Sequence, residues 1–341
     1  MKARRWMAVI TIAALFSAPF SFAADDKIGI FETIRAASVS FDEATAALDA
    51  AFADSGLELH ATHDVRIPDD KHRARVYVMT SPAYLEAAQG ESPRTISAQV
   101  LRVAVYTTGE NQATFVNMAN PVAHAMVYYA NSSDYDTLVN AAKGVADDIR
   151  RLASAIPGEA ASRQLEPVRS EKHYNKYKGD GPARVMAKFR TFEKSQLLIS
   201  KDTEENFDKV VADVQAALTN SDVSGADDTT GWEQIAVIRI HDAVYIGLTN
   251  PFIEDKMVRI NSRYRKDGKS ESSPYPGVDH VTALPTEVLI VKDGGETKVL
   301  HYGQMWRMQL YFWDSGYRAF TANVGVPGKI AGSVKDTVEG R

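Results

Sequence analysis

The chain has no cysteine. That excludes a thiolate nucleophile, an iron–sulfur cluster and a cysteine-held zinc site. The usual catalytic signatures are missing too: there is no Gly-x-Ser-x-Gly elbow, no Walker loop, no His-Glu-x-x-His and no dinucleotide glycine pattern. Gly179-Asp180-Gly181 reads only as a turn. Positive charge is not in surplus. The formal charge is −5, which argues against a general nucleic-acid binder. Past the N-terminus no apolar run is long enough to span a bilayer, which takes roughly 20 residues.

What is present is a globular balance, 45% hydrophobic and 24% charged, over 341 residues, enough for two domains of ordinary size. Residues 1–23 read as a signal peptide. Lys2, Arg4 and Arg5 make a positive start, residues 6–16 an apolar core, and Ser21-Phe22-Ala23 a small-x-small cleavage site. Cleavage there makes the chain three charges more negative. The expected product is a soluble exported protein in the periplasm, a compartment compatible with the lack of cysteine.

One phrase occurs twice. Residues 76–86 are VYVMTSPAYLE and residues 244–254 are VYIGLTNPFIE. Each reads as a buried strand stopped by a proline that cannot donate to a ladder. Other pieces recur around the phrase in the same order. Ser40-Phe41-Asp42-Glu43 fits a capping box, and Phe41, Ala44, Leu48 and Phe52 recur at helical spacing, as do Phe207, Val210, Val214 and Leu218. Strands at 100–107 and 112–118 make a hairpin, as do those at 287–293 and 296–302 around Gly294-Gly295.

The fold class expected is therefore α+β, two similar β-α-β-β-β-β-α domains with antiparallel sheets and helices on one face. The expected boundaries are 24–156 for the first domain, 157–191 for a linker, and 192–341 for the second. The second carries an insertion at 254–284, about sixteen residues longer than its counterpart. Between Arg163 and Lys194 nine Lys/Arg stand against four Asp/Glu. That excess reads as a solvated connector.

The Pro-marked turn after the third strand, with Leu284-Pro285 leading into Glu287-Val288-Leu289-Ile290-Val291-Lys292-Asp293-Gly294-Gly295 and then Lys298-Val299-Leu300, resembles the domain-of-unknown-function 302 (DUF 302) family. The first copy matches through Ser81-Pro82 and Arg102-Val103-Ala104-Val105-Tyr106, with Gln99-Val100 in place of Leu-Pro. The resemblance implies one curved antiparallel sheet per domain. It implies no activity and no catalytic residues.

Function is expected to be non-enzymatic binding of a small ligand or an envelope protein, with no nucleic acid and no membrane span in the mature chain. Trp306, Arg307, Tyr311 and Trp313 stand where the first copy is read to have Val122, Ala123, Val127 and Tyr129. That gain of large groups marks the second copy as the ligand-binding one. A copper site is the alternative. If the chain is helical by His301, then His301, Met305 and Met308 share one face, and imidazole with thioethers suits Cu(I). Met residues at helical spacing more often fill cores. His63, Asp64 and His72 are a weaker cluster, read as surface groups. An uncharacterised hydrolase is the third reading, since such sites assemble from distant residues.

Overall fold

In the computed structural model the described residues are 27–176, 189–202, 206–221, 231–264, 277–313 and 316–340. The expected signal peptide, the Gly179–Gly181 turn and residues 265–276 of the insertion lie outside them.

Two antiparallel sheets organise the chain. The first holds β1 (Ile28–Ala37), β2 (Glu58–Asp64), β3 (Ala74–Thr80), β4 (Leu101–Thr108), β5 (Ala113–Ala119) and β6 (Gly158–Arg169), in the order β2-β3-β4-β5-β1-β6. The second holds β7 (Gln196–Asp202), β8 (Glu233–Ile240), β9 (Ala243–Thr249), β10 (Thr286–Asp293) and β11 (Glu296–Tyr302), in the order β7-β11-β10-β9-β8. Read from the opposite edge, the second order repeats the first without β6. The doubled phrase lies in β3 and β9, which occupy corresponding places in the two sheets. The α+β class follows directly.

Local chemistry explains the elements. Helix α1 (Phe41–Ala51) starts at a full capping box: the Ser40 side chain accepts from the Glu43 amide, and the Glu43 carboxylate accepts from the Ser40 amide at 2.9 Å. A cap of this kind contributes about 1 kcal/mol. Its counterpart α7 (Phe207–Thr219) is capped by Asn206, whose side chain accepts from the Asp208 amide. Helices α2 (Pro82–Ala87) and α8 (Pro251–Tyr264) both begin at the proline of the repeated phrase, where the missing N–H costs nothing. The β10–β11 hairpin turns on Gly294 and Gly295, both at positive φ (64° and 81°), as a two-residue turn of this hand requires.

The remaining helices are α3 (Pro121–Tyr128), α4 (Tyr135–Ala153), the short α5 (Glu171–Lys176) and α6 (Phe192–Ser195), and then α9 (Gln304–Phe312), α10 (Gly316–Asn323) and α11 (Val326–Glu339). In the second half the core divides by strand alternation. Val244, Ile246, Val288 and Ile290 face α7 and α11, while Tyr245, Leu289, Leu300 and Tyr302 face the first half. The halves pack reciprocally. The 3-10 segment Val278–Ala283 of the second lies on β4 and β5, and its counterpart Pro93–Ala98 lies on β9 and β10.

Three expectations change. Residues 158–169, read as the start of a linker, form β6 along the edge of the first sheet, paired to β1. Its sequence is polar because much of an edge strand meets water. Residues 192–195, read as strand, form α6, and the strand begins at Gln196. The alignment of the last helices also moves by one. Val103 pairs with Met118 and Val288 with His301, and the following helices begin at Pro121 and Gln304. Trp306 therefore corresponds to Ala123, Arg307 to His124 and Tyr311 to Tyr128. A one-residue slide along an apolar helix leaves hydrophobic matching nearly intact, so only the ladder reveals it.

Gly247 shows how the copies diverge within one frame. It pairs with Glu287 in β9–β10, as Val78 pairs with Arg102 in β3–β4. A Cβ at Gly247 would meet the Pro285 ring at 2.6 Å. Where the first copy has Val100 in place of that proline, valine is accommodated.

Candidate functional site

Helix α9 lies beside a cluster of buried charge between the two sheets. Arg307 is buried; its Nη1 donates to Glu287 Oε2 at 2.5 Å and its Nη2 to the carbonyls of Ala283 (2.6 Å) and Pro285 (3.2 Å). Burial pushes the Glu287 carboxyl up from its ordinary value, and the guanidiniums of Arg307 and Arg102 hold it back. Burial works against the Arg102 guanidinium as well, but Tyr311, Tyr245 and Glu287 more than offset it and leave it above the ordinary value. Arg102 Nη2 donates to the Tyr311 hydroxyl at 3.0 Å and meets His124 Nε2 at 2.8 Å. The His124 Nδ1–H donates to the Asn120 carbonyl at 2.7 Å, which leaves Nε2 as the acceptor. Burial, with Arg102 beside it, drives His124 down to about 3, so the ring is neutral.

Beside this cluster is a shallow cleft in the second half, with a cavity volume of about 70 Å³. Helix α8 contributes Ile253, Lys256 and Met257 to it; Leu284 and Thr286 contribute from the approach to β10. Helix α9 supplies Arg307, Met308 and Phe312, and α11 supplies Val326 and Ile330. Its described lining is almost entirely apolar, as the walls of small-molecule sites are.

The residues singled out in the sequence are distributed unevenly around it. Arg307 and Met308 line the cleft. Trp306 does not. It is 1% exposed and packs edge-on to Tyr128 (5.6 Å) and Phe189 (6.0 Å) and parallel to Tyr302 (5.7 Å). Tyr311 is enclosed between the sheets, stacked on Phe31 at 5.6 Å. Trp313 ends α9, half-buried and edge-on to Phe320 at 5.9 Å.

The helical face proposed for His301, Met305 and Met308 does not form, because α9 starts at Gln304 and His301 is still in β11. The His301 Nδ1–H donates to the Glu287 carbonyl at 2.9 Å, and burial takes the ring down to about 4. Met305 packs against the core between the sheets. Among the described residues no group of three or more His, Asp or Glu is placed to hold a metal.

His63, Asp64 and His72 are not brought together. Asp64 pairs with Arg75 and His72 with Asp69. His63 instead reaches across to the second half, a contact with no local signal in the sequence. Its Nε2 meets Glu254 Oε1 at 2.7 Å. Glu254 also accepts from the Arg66 amide (2.7 Å), Arg66 Nη1 (3.1 Å) and the Thr249 hydroxyl (2.8 Å). Arg66 continues to Glu233 at 2.6 Å. Burial opposes the Glu254 charge, yet these donors outweigh it and hold the carboxyl below its ordinary value. With every partner committed, the cluster acts as a clamp where β2 and β8 meet. The only hint in the sequence was an acid in the first turn of a helix, which a cap explains equally well.

No helix among the described residues is long and apolar enough to cross a membrane. Comparison with protein-family models, with curated proteins and with solved structures finds no match to this chain. The resemblance to the DUF 302 family therefore rests on the residues that carry it.

Proposed function

We propose that this chain is a non-enzymatic binding protein of the periplasm, built from two DUF 302-like modules, that takes a small apolar ligand in the cleft of its second half. The observation that carries the reading is the cleft itself: apolar walls from α8, α9 and α11, with Arg307 among them held by Glu287. A pre-formed apolar cavity with few polar groups is what a small-molecule site requires. Export is supported by the composition of residues 1–23.

The test uses N-phenyl-1-naphthylamine, an uncharged probe that fluoresces in apolar surroundings. The folded protein is expected to bind it saturably. Met308→Trp, which fills the cleft, is expected to abolish binding while keeping a cooperative thermal transition. No saturable binding, or equal binding by the filled variant, overturns the reading.

A further inference from the structure

We infer that the ligand of this cleft carries a single negative charge at one end of its apolar body, and that Lys256 receives it. The inference rests on the binding reading above. It starts from an imbalance. The chain as a whole is acidic, yet among the described residues the cleft is lined by two cations, Lys256 and Arg307, and by no Asp or Glu.

The two cations differ. Arg307 is committed to Glu287 and to two carbonyls. Lys256 forms no ion pair with any described residue; its ammonium stands 5.4 Å from the centre of the Phe252 ring. The acids next to it in sequence are consumed elsewhere: Glu254 is enclosed by His63, Arg66 and Thr249, and Asp255 holds Arg259 at 2.5 Å. Lys256 is half-buried at the wall, so its stem contributes apolar surface to the cleft.

A second feature has the same sign. Helix α11 presents its first turn to the cleft through Val326 and Pro327. That turn has no acidic residue, and Gly325 supplies no side-chain cap. The positive end of a 14-residue helix therefore adds to the field of Lys256. An apolar channel with an unneutralised ammonium at its wall suits an amphiphilic monoanion, and a straight-chain alkanoate is the simplest member of that class.

The experiment is calorimetric titration with alkanoates of six to twelve carbons and with the matching primary alcohols, below micelle-forming concentrations. Each added methylene is expected to tighten binding about fourfold until the cleft is filled. The carboxylate is expected to bind at least about fivefold more tightly than the alcohol of equal length. Lys256→Gln is expected to remove that difference and keep the methylene increment. It breaks no ion pair, and an unchanged circular dichroism spectrum checks its fold. If carboxylate and alcohol bind alike, or if Lys256→Gln leaves their ratio unchanged, the charge assignment is overturned while the apolar cleft stands. If neither series binds, the binding reading fails and this inference fails with it.

Discussion

Replacing Glu254 with alanine tests whether the clamp between the halves is a stabilising contact. The side chain is fully enclosed and accepts four hydrogen bonds, from His63, the Arg66 amide, Arg66 Nη1 and Thr249. These are not equal. Arg66 is 45% exposed and keeps Glu233, so loss of its Nη1 contact is offset by water. The Thr249 hydroxyl, the Arg66 amide and the His63 ring lose an acceptor in a place water reaches poorly. At about 1 kcal/mol each, Glu254→Ala is expected to cost about 3 kcal/mol, near the lower limit for breaking a buried charged contact. Glu254→Gln, which keeps one acceptor oxygen, is expected to cost about half of that.

Urea unfolding followed by circular dichroism measures both, with an unchanged slope as the control. The pH dependence has a definite sign. The folded carboxyl lies below the ordinary 4.5, so its contribution is present in full above that value and is lost as pH falls through the lower folded one. The gap between wild type and Glu254→Ala should be constant from pH 7 to about 5 and should shrink below about 4. A loss under about 1 kcal/mol at pH 7, or a gap that persists unchanged to pH 3, refutes the clamp.

The buried pair should behave differently from its double replacement. Arg307→Ala leaves Glu287 enclosed without the guanidinium that it is paired to, and is expected to cost about 3–5 kcal/mol in the same unfolding assay. Arg307→Met with Glu287→Leu should stay within about 1 kcal/mol of wild type; a double variant as unstable as the single one would show that the carbonyls of Ala283 and Pro285 matter more than the charge. His124 and His301, held near 3 and 4 against an ordinary 6.5, should show no imidazole titration by NMR between pH 8 and 5. Because the unfolded rings protonate first, stability should fall as pH drops below 6.5, and a His124 resonance titrating near 6.5 would contradict its place between Arg102 and Asn120.

Much of the fold was legible because its signals are local. Proline after Thr-Ser or Thr-Asn, the Ser40–Glu43 box and Gly294-Gly295 each act within a few residues, and the strands and helices they punctuate lie where periodicity put them. β6 was hidden for the converse reason: an edge strand that meets water loses the alternation that marks a buried one. The site was less legible. Arg307 was found from the enlarged side chains of the second copy and Met308 only as a candidate copper ligand, while Trp306 and Tyr311 spend their size on packing between sheets. Lys256 had no such mark, since its meaning depends on which neighbouring acids are already used. Glu254 and His63 are 191 residues apart, and no spacing rule reaches that far.

The charges at the interface also bear on why the two sheets pair with each other. Positions 102 and 287 correspond in the two ladders, and they hold an arginine and a glutamate; positions 124 and 307 correspond, and they hold a histidine and an arginine. If both copies carried the arginine, reciprocal packing would bring two uncompensated guanidiniums into one dry space, a cost that burial would not repay. With opposite signs at corresponding places, the first half meets in the second a partner it does not find in another copy of itself. Arg102 of the first half reaches Tyr311 of the second, while Arg307 and Glu287 pair within the second half. Opposite signs at positions 102 and 287 thus favour the union of the two halves over self-pairing of either one.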